Sequence, residues 1–123
     1  MNRFIVKQKL PSLNDYTAAC RSNKYVGAKF KAEVEEAIGW DIRQGLASGA
    51  LHKTNKAVMV RFEWHESTKK RDADNIASAK KFILDALVKC GVIKDDSRRY
   101  VKGFYDKIVD DKRDFVIVDL VEI

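Results

Sequence analysis

The order of apolar and polar residues predicts four β-strands. The segments with strand character are residues 3–9, 57–64, 99–109 and 113–122. Between Val58 and Trp64 the apolar residues recur at every second position, as expected of a strand with one buried face. The last segment contains the nearly continuous apolar run FVIVDLV, which is typical of a strand in the centre of a sheet.

Helical periodicity predicts a long helix that runs to about residue 46, with a kink or interruption near Gly27. Ser12 or Asn14 can cap its first turn, and the loop LASGALHKTNK follows it. Long helices and strands in this order predict an α+β fold. We expect one domain, residues 1–123, with a mixed β-sheet, a long N-terminal helix and a second amphipathic helix.

The second helix is predicted from Asn75 to about Cys90, with Gly91 at the left-handed position that ends many helices. Its apolar stripe consists of Ile76, Ala79, Ile83, Ala86, Leu87 and Cys90. The opposite stripe consists of Asp74, Ser78, Lys81 and Asp85. At about 100° per residue Lys81 lies on this polar stripe, whereas Lys80 lies at the apolar boundary. The polar stripe is either a functional surface or an ordinary solvated face with local charge pairs.

The net charge of +6 is concentrated in one part of the chain. Residues 69–102 contain ten Lys or Arg and five Asp, which leaves +1 for all the others. A basic surface attracts polyanions such as DNA, although a merely solvated basic face has the same composition.

Several classes of site and location are disfavoured by composition. No apolar run reaches the roughly 18 residues of a membrane span, and we expect no signal peptide. Cys20 and Cys90 have no metal or redox spacing, so we expect two buried thiols in a reducing, cytoplasmic setting. With only His52 and His65, a histidine-rich zinc site is not expected.

The segment KKRDADNI raises a sharper question, because it places Asp72 and Asp74 two residues apart. In an extended segment both carboxylates point to the same side, where they can hold a hard cation such as Mg²⁺. Alternatively, Asp74 caps the following helix and Asp72 pairs with Arg71. Asp95 and Asp96, which follow the helix, could supply a third acid or form a surface turn.

The segment RDADNIASAKKFILDALVKCGVIKDDS resembles the signature of the RusA family of Holliday junction resolvases, especially its phage and prophage members. The shared elements are D-x-D-N, an amphipathic helix with a lysine and D-A-L, a glycine, and an acidic pair. LPSLNDY and GAKFK, near the N-terminus, are also similar to phage members.

The resemblance implies that Asp72, Asp74 and Asp96 are catalytic carboxylates that bind Mg²⁺, with Mn²⁺ as a possible substitute. In well-known members the catalytic lysine lies four residues after the second aspartate, where this chain has Ser78. Counting back four residues from Asp85 gives Lys81, which the helix geometry also selects. We therefore assign the catalytic lysine to Lys81, with Lys80 as the alternative and Asp85 as a supporting residue.

The resemblance further implies a homodimer, acting in a bacterial or phage-infected cell, that cuts a four-way DNA junction at two symmetric positions. It implies that Arg71 contacts DNA near the cut. Other predicted DNA contacts are Lys69, Lys70, Lys80, Lys94, Arg98, Arg99 and Lys102. Two alternatives are a non-catalytic protein that binds branched DNA and a metal nuclease that acts on flaps or forks. No membrane association is expected.

Overall fold

The protein is described by a computed structural model that covers residues 1–123. Its elements, in chain order, are β1 (Arg3–Val6), α1 (Leu13–Ser22), α2 (Lys24–Ser48), β2 (Val58–Glu66), α3 (Ala73–Ala77), α4 (Lys80–Lys89), β3 (Val101–Asp110) and β4 (Phe115–Glu122). The predicted α+β class is confirmed. None of the helices is both long and apolar enough to cross a membrane.

The four strands form one mixed sheet in the order β1-β4-β2-β3. The prediction that the last strand is central is confirmed, because β4 pairs antiparallel with both β1 and β2. The chain crosses from β2 to β3 through α3 and α4, and these two strands are parallel. A helical crossover is the usual way to join parallel neighbours.

A single hydrophobic cluster of 23 buried residues joins the sheet to the helices. The alternating residues of β2 that face this cluster are buried, as the sequence pattern predicted. Ile38 and Ile42 contribute from α2, and Phe82 and Leu87 contribute from α4. The helices therefore cover one face of the sheet, and their polar sides face away from it.

The N-terminal helical region differs from the prediction of one helix with a kink near Gly27. The break is at Asn23, whose backbone is extended and whose side chain accepts a hydrogen bond from the Tyr25 amide at 2.7 Å. Gly27 instead permits close packing of the two helices, since a Cβ there would lie 2.5 Å from Cys20 Sγ. The prediction that Cys20 is buried is wrong, because α1 contains no buried residue. Cys90 is half-buried.

The first strand and the long helix also end at other residues than predicted. The first strand ends at Val6, because the Lys7 amide donates to Asp41 on α2 instead of to a strand. The long helix continues to Ser48 and ends at Gly49, which has a φ of 81°. Ser12 caps α1 as predicted, in a reciprocal arrangement with Asp15.

The predicted helix 75–90 begins two residues earlier and is divided into α3 and α4. Ser78, at the break, donates to the Asn75 carbonyl at 2.6 Å and accepts from the Leu13 amide at 3.1 Å. These bonds attach the beginning of α1 to the end of α3. Gly91 has a φ of 73°, in agreement with the prediction that it ends the helix.

Candidate active site

Asp72 and Asp74 lie where the chain enters α3, and both are exposed. Asp72 is the residue that precedes the helix, but its side chain makes no capping hydrogen bond. Asp74 lies in the first turn, and its carboxylate accepts a hydrogen bond only from the adjacent Asn75 amide. Neither carboxylate has an ion-pair partner, so the two structural roles considered for this pair, helix capping and pairing with Arg71, are not observed.

Arg71 is directed into the protein. Its Nε and Nη2 donate to the carboxylate of Glu66 at 2.9–3.1 Å, and its Nη1 donates to the Leu10 carbonyl at 3.0 Å. The Arg71 side chain is 17% exposed and that of Glu66 is 6% exposed. The guanidinium predicted to contact DNA is thus engaged by a buried carboxylate and by the segment that leads into α1.

Lys81 brings the helix and the second acidic segment together. Its ammonium lies 3.0 Å from Asp85, one turn further along α4, and 3.0 Å from Asp96. Asp95 instead accepts from the Ser97 amide within its own turn. Of the two neighbouring aspartates, only Asp96 faces the polar stripe of α4.

The electrostatics of this contact favour the ionised forms. The hydrogen bonds that Lys81 donates to Asp85 and, to a smaller extent, to Asp96 raise the pKa of Lys81 above its usual range. The hydrogen bond from Lys81 lowers the pKa of Asp96 below its usual range. At neutral pH the contact is therefore a cation held between two carboxylates. Asp85 also lies 3.5 Å from Lys31 on α2, which anchors it from a second helix.

Lys80 points to a different part of the molecule. Its ammonium bonds to Asp106 on β3 and lies over the rings of Phe62 and Phe104. The other oxygen of Asp106 accepts from the indole of Trp64 at 2.9 Å. The ammonium of Lys80 therefore contacts side chains of the sheet, whereas that of Lys81 contacts Asp85 and Asp96.

The remaining predicted DNA contacts are exposed cations that make no ion pair in this structure: Lys69, Lys70, Lys94, Arg98, Arg99 and Lys102. Lys69 and Lys70 precede Asp72 in the chain, and Arg98 and Arg99 follow Asp96. Each acidic segment is thus flanked by free positive charge. This arrangement suits a polyanion that must approach carboxylates.

The donor set fits Mg²⁺ by its chemistry. Mg²⁺ binds through one or two carboxylates together with water and substrate phosphate, and Asp72 and Asp74 are exposed carboxylates without competing cations. No group of three or more His, Cys, Asp or Glu side chains is placed to hold one ion in the present arrangement. Asp96, the third predicted ligand, is bonded to Lys81.

Sequence reasoning missed the residues that support these segments. Glu66 continues the buried alternation of β2, so the period-two pattern could have identified it as a buried carboxylate in need of a partner. Asp106 could not be found in this way, because β3 is exposed along most of its length. The contact between Asn14 and Asn75, at 3.1 Å, also had no local signal.

The chain matches the model of a known protein family. The model of the family described as Endodeoxyribonuclease RusA matches residues 2–119. The match includes both acidic segments, α4, the strands β1 to β3 and the first part of β4. A search of curated proteins found no significant match.

Proposed function

This chain belongs to the endodeoxyribonuclease RusA family of Holliday-junction-resolving nucleases, and on that premise we propose that it cuts four-way DNA junctions in a Mg²⁺-dependent reaction. We further propose that it acts as a homodimer and makes paired, symmetric nicks. The observation that carries the proposal is the contact of Lys81 with Asp96 at 3.0 Å. It brings together the two segments to which the sequence resemblance assigns the catalytic residues.

Asp72, Asp74 and Asp96 are the proposed ligands of Mg²⁺, with Mn²⁺ as a substitute. When bound, the ion would lower the pKa of a water molecule and stabilise charge on the phosphoryl oxygens. Phosphodiester hydrolysis that leaves 5′-phosphate and 3′-hydroxyl ends needs both contributions.

The ammonium of Lys81 supplies positive charge at the scissile phosphate. The carboxylate of Asp85, one helical turn away, lies 3.0 Å from this ammonium. Lys81 therefore keeps one ion-pair partner if Asp96 turns towards a metal ion. Lys80 is the weaker candidate for this role, because Asp106 and two aromatic rings already surround its ammonium.

The exposed cations that flank the acidic segments would position the DNA backbone. Each phosphate contact of this kind contributes about one unit to the slope of log affinity against log salt. Such contacts orient the substrate and carry no sequence information.

Two symmetric cuts require two equivalent sites, which a two-fold homodimer provides. The single hydrophobic cluster supports one domain, residues 1–123, in each subunit. Mixing the wild-type protein with an inactive variant tests this point, since mixed dimers should nick only one of the two strands.

The test is cleavage of a labelled synthetic four-way junction with Mg²⁺, with Mn²⁺ and with EDTA, beside a linear duplex, a flap and a fork. We expect paired nicks in the junction that require the metal. Faster cleavage of the flap or fork than of the junction would show that the preferred substrate is that branched DNA and not the four-way junction. Tight junction binding without cleavage under either metal would contradict the proposal and favour a binding protein on a nuclease fold.

A further inference from the structure

Glu66 is a buried carboxylate that the reaction does not use directly. It is the last residue of β2, on the face that packs against the helices, and it is 5% exposed. A carboxylate in such a place is costly unless it is paired and hydrogen-bonded. Its partner is Arg71, which is adjacent in the chain to Asp72.

The geometry of the pair restricts the position of Arg71. Arg71 donates to both oxygens of Glu66, a forked arrangement that restricts orientation as well as distance. The third nitrogen of the guanidinium donates to the carbonyl of Leu10, which is buried before α1. Arg71 thus connects the end of β2, the entrance to α1 and the residue before Asp72.

The rest of the connection between β2 and α3 is open. The side chains of residues 67–70 are exposed, and no helix or strand is formed there. Side-chain hydrogen bonds hold this connection at its two ends. Ser67 bonds to Asp114 at the beginning, and Arg71 bonds to Glu66 at the end. Without the pair of Glu66 and Arg71, the position of Asp72 would depend only on the short helix α3 that follows it.

We propose that Glu66 and Arg71 form a positioning pair that sets the location of Asp72, and that Arg71 acts on cleavage through this pair and not through a DNA phosphate. The proposal rests on the proposed nuclease function for its kinetic consequence. Its structural consequence, an ordered segment 67–78, is independent of that function.

The kinetic test compares Glu66→Gln and Arg71→Gln, each of which removes one charge of the pair, with two controls. Asp119→Asn disrupts another forked arginine pair, with Arg3 at 2.7 and 3.1 Å, on the opposite face of the sheet. Lys70→Gln removes an exposed cation one residue before Arg71. The readouts are the cleavage rate at saturating junction and the junction Kd as a function of salt.

Both variants of the pair should reduce the saturated cleavage rate by about 10- to 100-fold, the range typical of residues that orient metal ligands. Their Kd and salt slope should match those of the wild type and of Asp119→Asn. Lys70→Gln should raise Kd and reduce the salt slope by about one unit. If Arg71→Gln raises Kd and reduces the slope as Lys70→Gln does, with the saturated rate intact, Arg71 is a DNA contact and the proposal is wrong.

Amide hydrogen exchange provides a test that does not depend on cleavage. In Glu66→Gln, exchange should become faster for the Ile76 and Ser78 amides, which bond to Asp72 and Asp74 carbonyls. Amides of the β1–β4 pair serve as the internal control. Unchanged exchange at Ile76 and Ser78 would overturn the proposal even if the wild-type protein proves to be a nuclease. A wild-type protein that fails to cut any junction would contradict the proposed function and leave this exchange test valid.

Discussion

Two adjacent lysines on α4 form ion pairs with aspartates, and the difference between them separates a structural contact from a candidate catalytic one. Lys80 bonds to Asp106 with side-chain exposures of 22% and 27%, and Lys81 bonds to Asp96 with exposures of 53% and 32%. The Lys80 pair is covered by aromatic rings and completed by the indole of Trp64. The Lys81 pair is open and has acidic and basic residues around it.

The comparison shows that the distance within an ion pair does not reveal its role. Both oxygens of Asp106 have partners within the protein, so rearranging the Lys80 pair would expose or orphan several groups. The ion pair between Lys81 and Asp96 can separate without leaving the ammonium unpaired, because Lys81 also pairs with Asp85. A lysine that can exchange one partner for a phosphate is better suited to catalysis.

The largest expected effect in this comparison is that of Lys81→Gln. We expect the cleavage rate at saturating junction to fall by about 10²–10³-fold, as when one preorganised charge is removed from a transition state. Binding should change far less, because one cation among several is lost. Single-turnover cleavage measures the rate, and a value within threefold of the wild type would exclude Lys81 as the catalytic lysine.

Lys80→Met should instead affect stability. It leaves a partly buried carboxylate of Asp106 without its cation, and we expect the free energy of unfolding to fall by about 1–2 kcal/mol. Urea denaturation measures this loss, with Lys102→Met as an exposed control. Unchanged stability together with a cleavage defect as large as that of Lys81→Gln would reverse the assignment of the two lysines.

A smaller, pH-dependent effect is expected at Asp114, which accepts from the amide and hydroxyl of Ser67. The bond from the Ser67 amide lowers the pKa of Asp114 below its usual value. A depressed pKa stabilises the fold above the unfolded-state pKa, and this contribution is lost as the pH falls through the folded-state pKa.

Asp114→Asn should therefore lower the free energy of unfolding by about 1 kcal/mol at neutral pH. The difference from the wild type should shrink as the pH falls below about 4, where the unfolded chain takes up the proton first, and should vanish once the folded carboxylate is protonated as well. Denaturation curves at several pH values measure the difference. A constant difference across the whole range would show that the charge of Asp114 is not what stabilises this connection.

The smallest effects are expected for Arg98→Gln and Arg99→Gln. Each should reduce the salt slope of junction binding by at most about one unit, with a few-fold loss of affinity at moderate salt. Fluorescence anisotropy over a salt series measures both quantities. If neither variant changes the slope, the DNA path does not pass the segment that follows Asp96.

The sequence predicted those parts of the fold that follow from local periodicity. The alternation in β2 and the apolar run of β4 predicted a half-buried strand and a central one, and both are observed. Helix breaks were less predictable, because Asn23 and Ser78 end helices through side-chain bonds to particular backbone atoms. At Ser78 the hydroxyl also accepts from the Leu13 amide, 65 residues away, which no local pattern predicts.

The candidate site was predictable as a set of residues but not as a set of contacts. Spacing along α4 selected Lys81 over Lys80, and the two lysines do face different partners. The partner of Arg71 was not predicted, because Glu66 reaches it through burial at the end of a strand and not through a charge pattern. The same guanidinium also donates to the Leu10 carbonyl, 61 residues away, a contact that the sequence gives no local signal for.

The central claim is that Asp72 belongs to a metal-dependent site that cuts four-way junctions. The most direct measurement is cleavage of a labelled junction by the wild-type protein and by Asp72→Asn, in Mg²⁺ and at equal, saturating occupancy. We predict paired nicks by the wild type, and unchanged binding with no nicks by the variant. Equal cleavage by the two proteins, or binding without cleavage by both, would contradict the account.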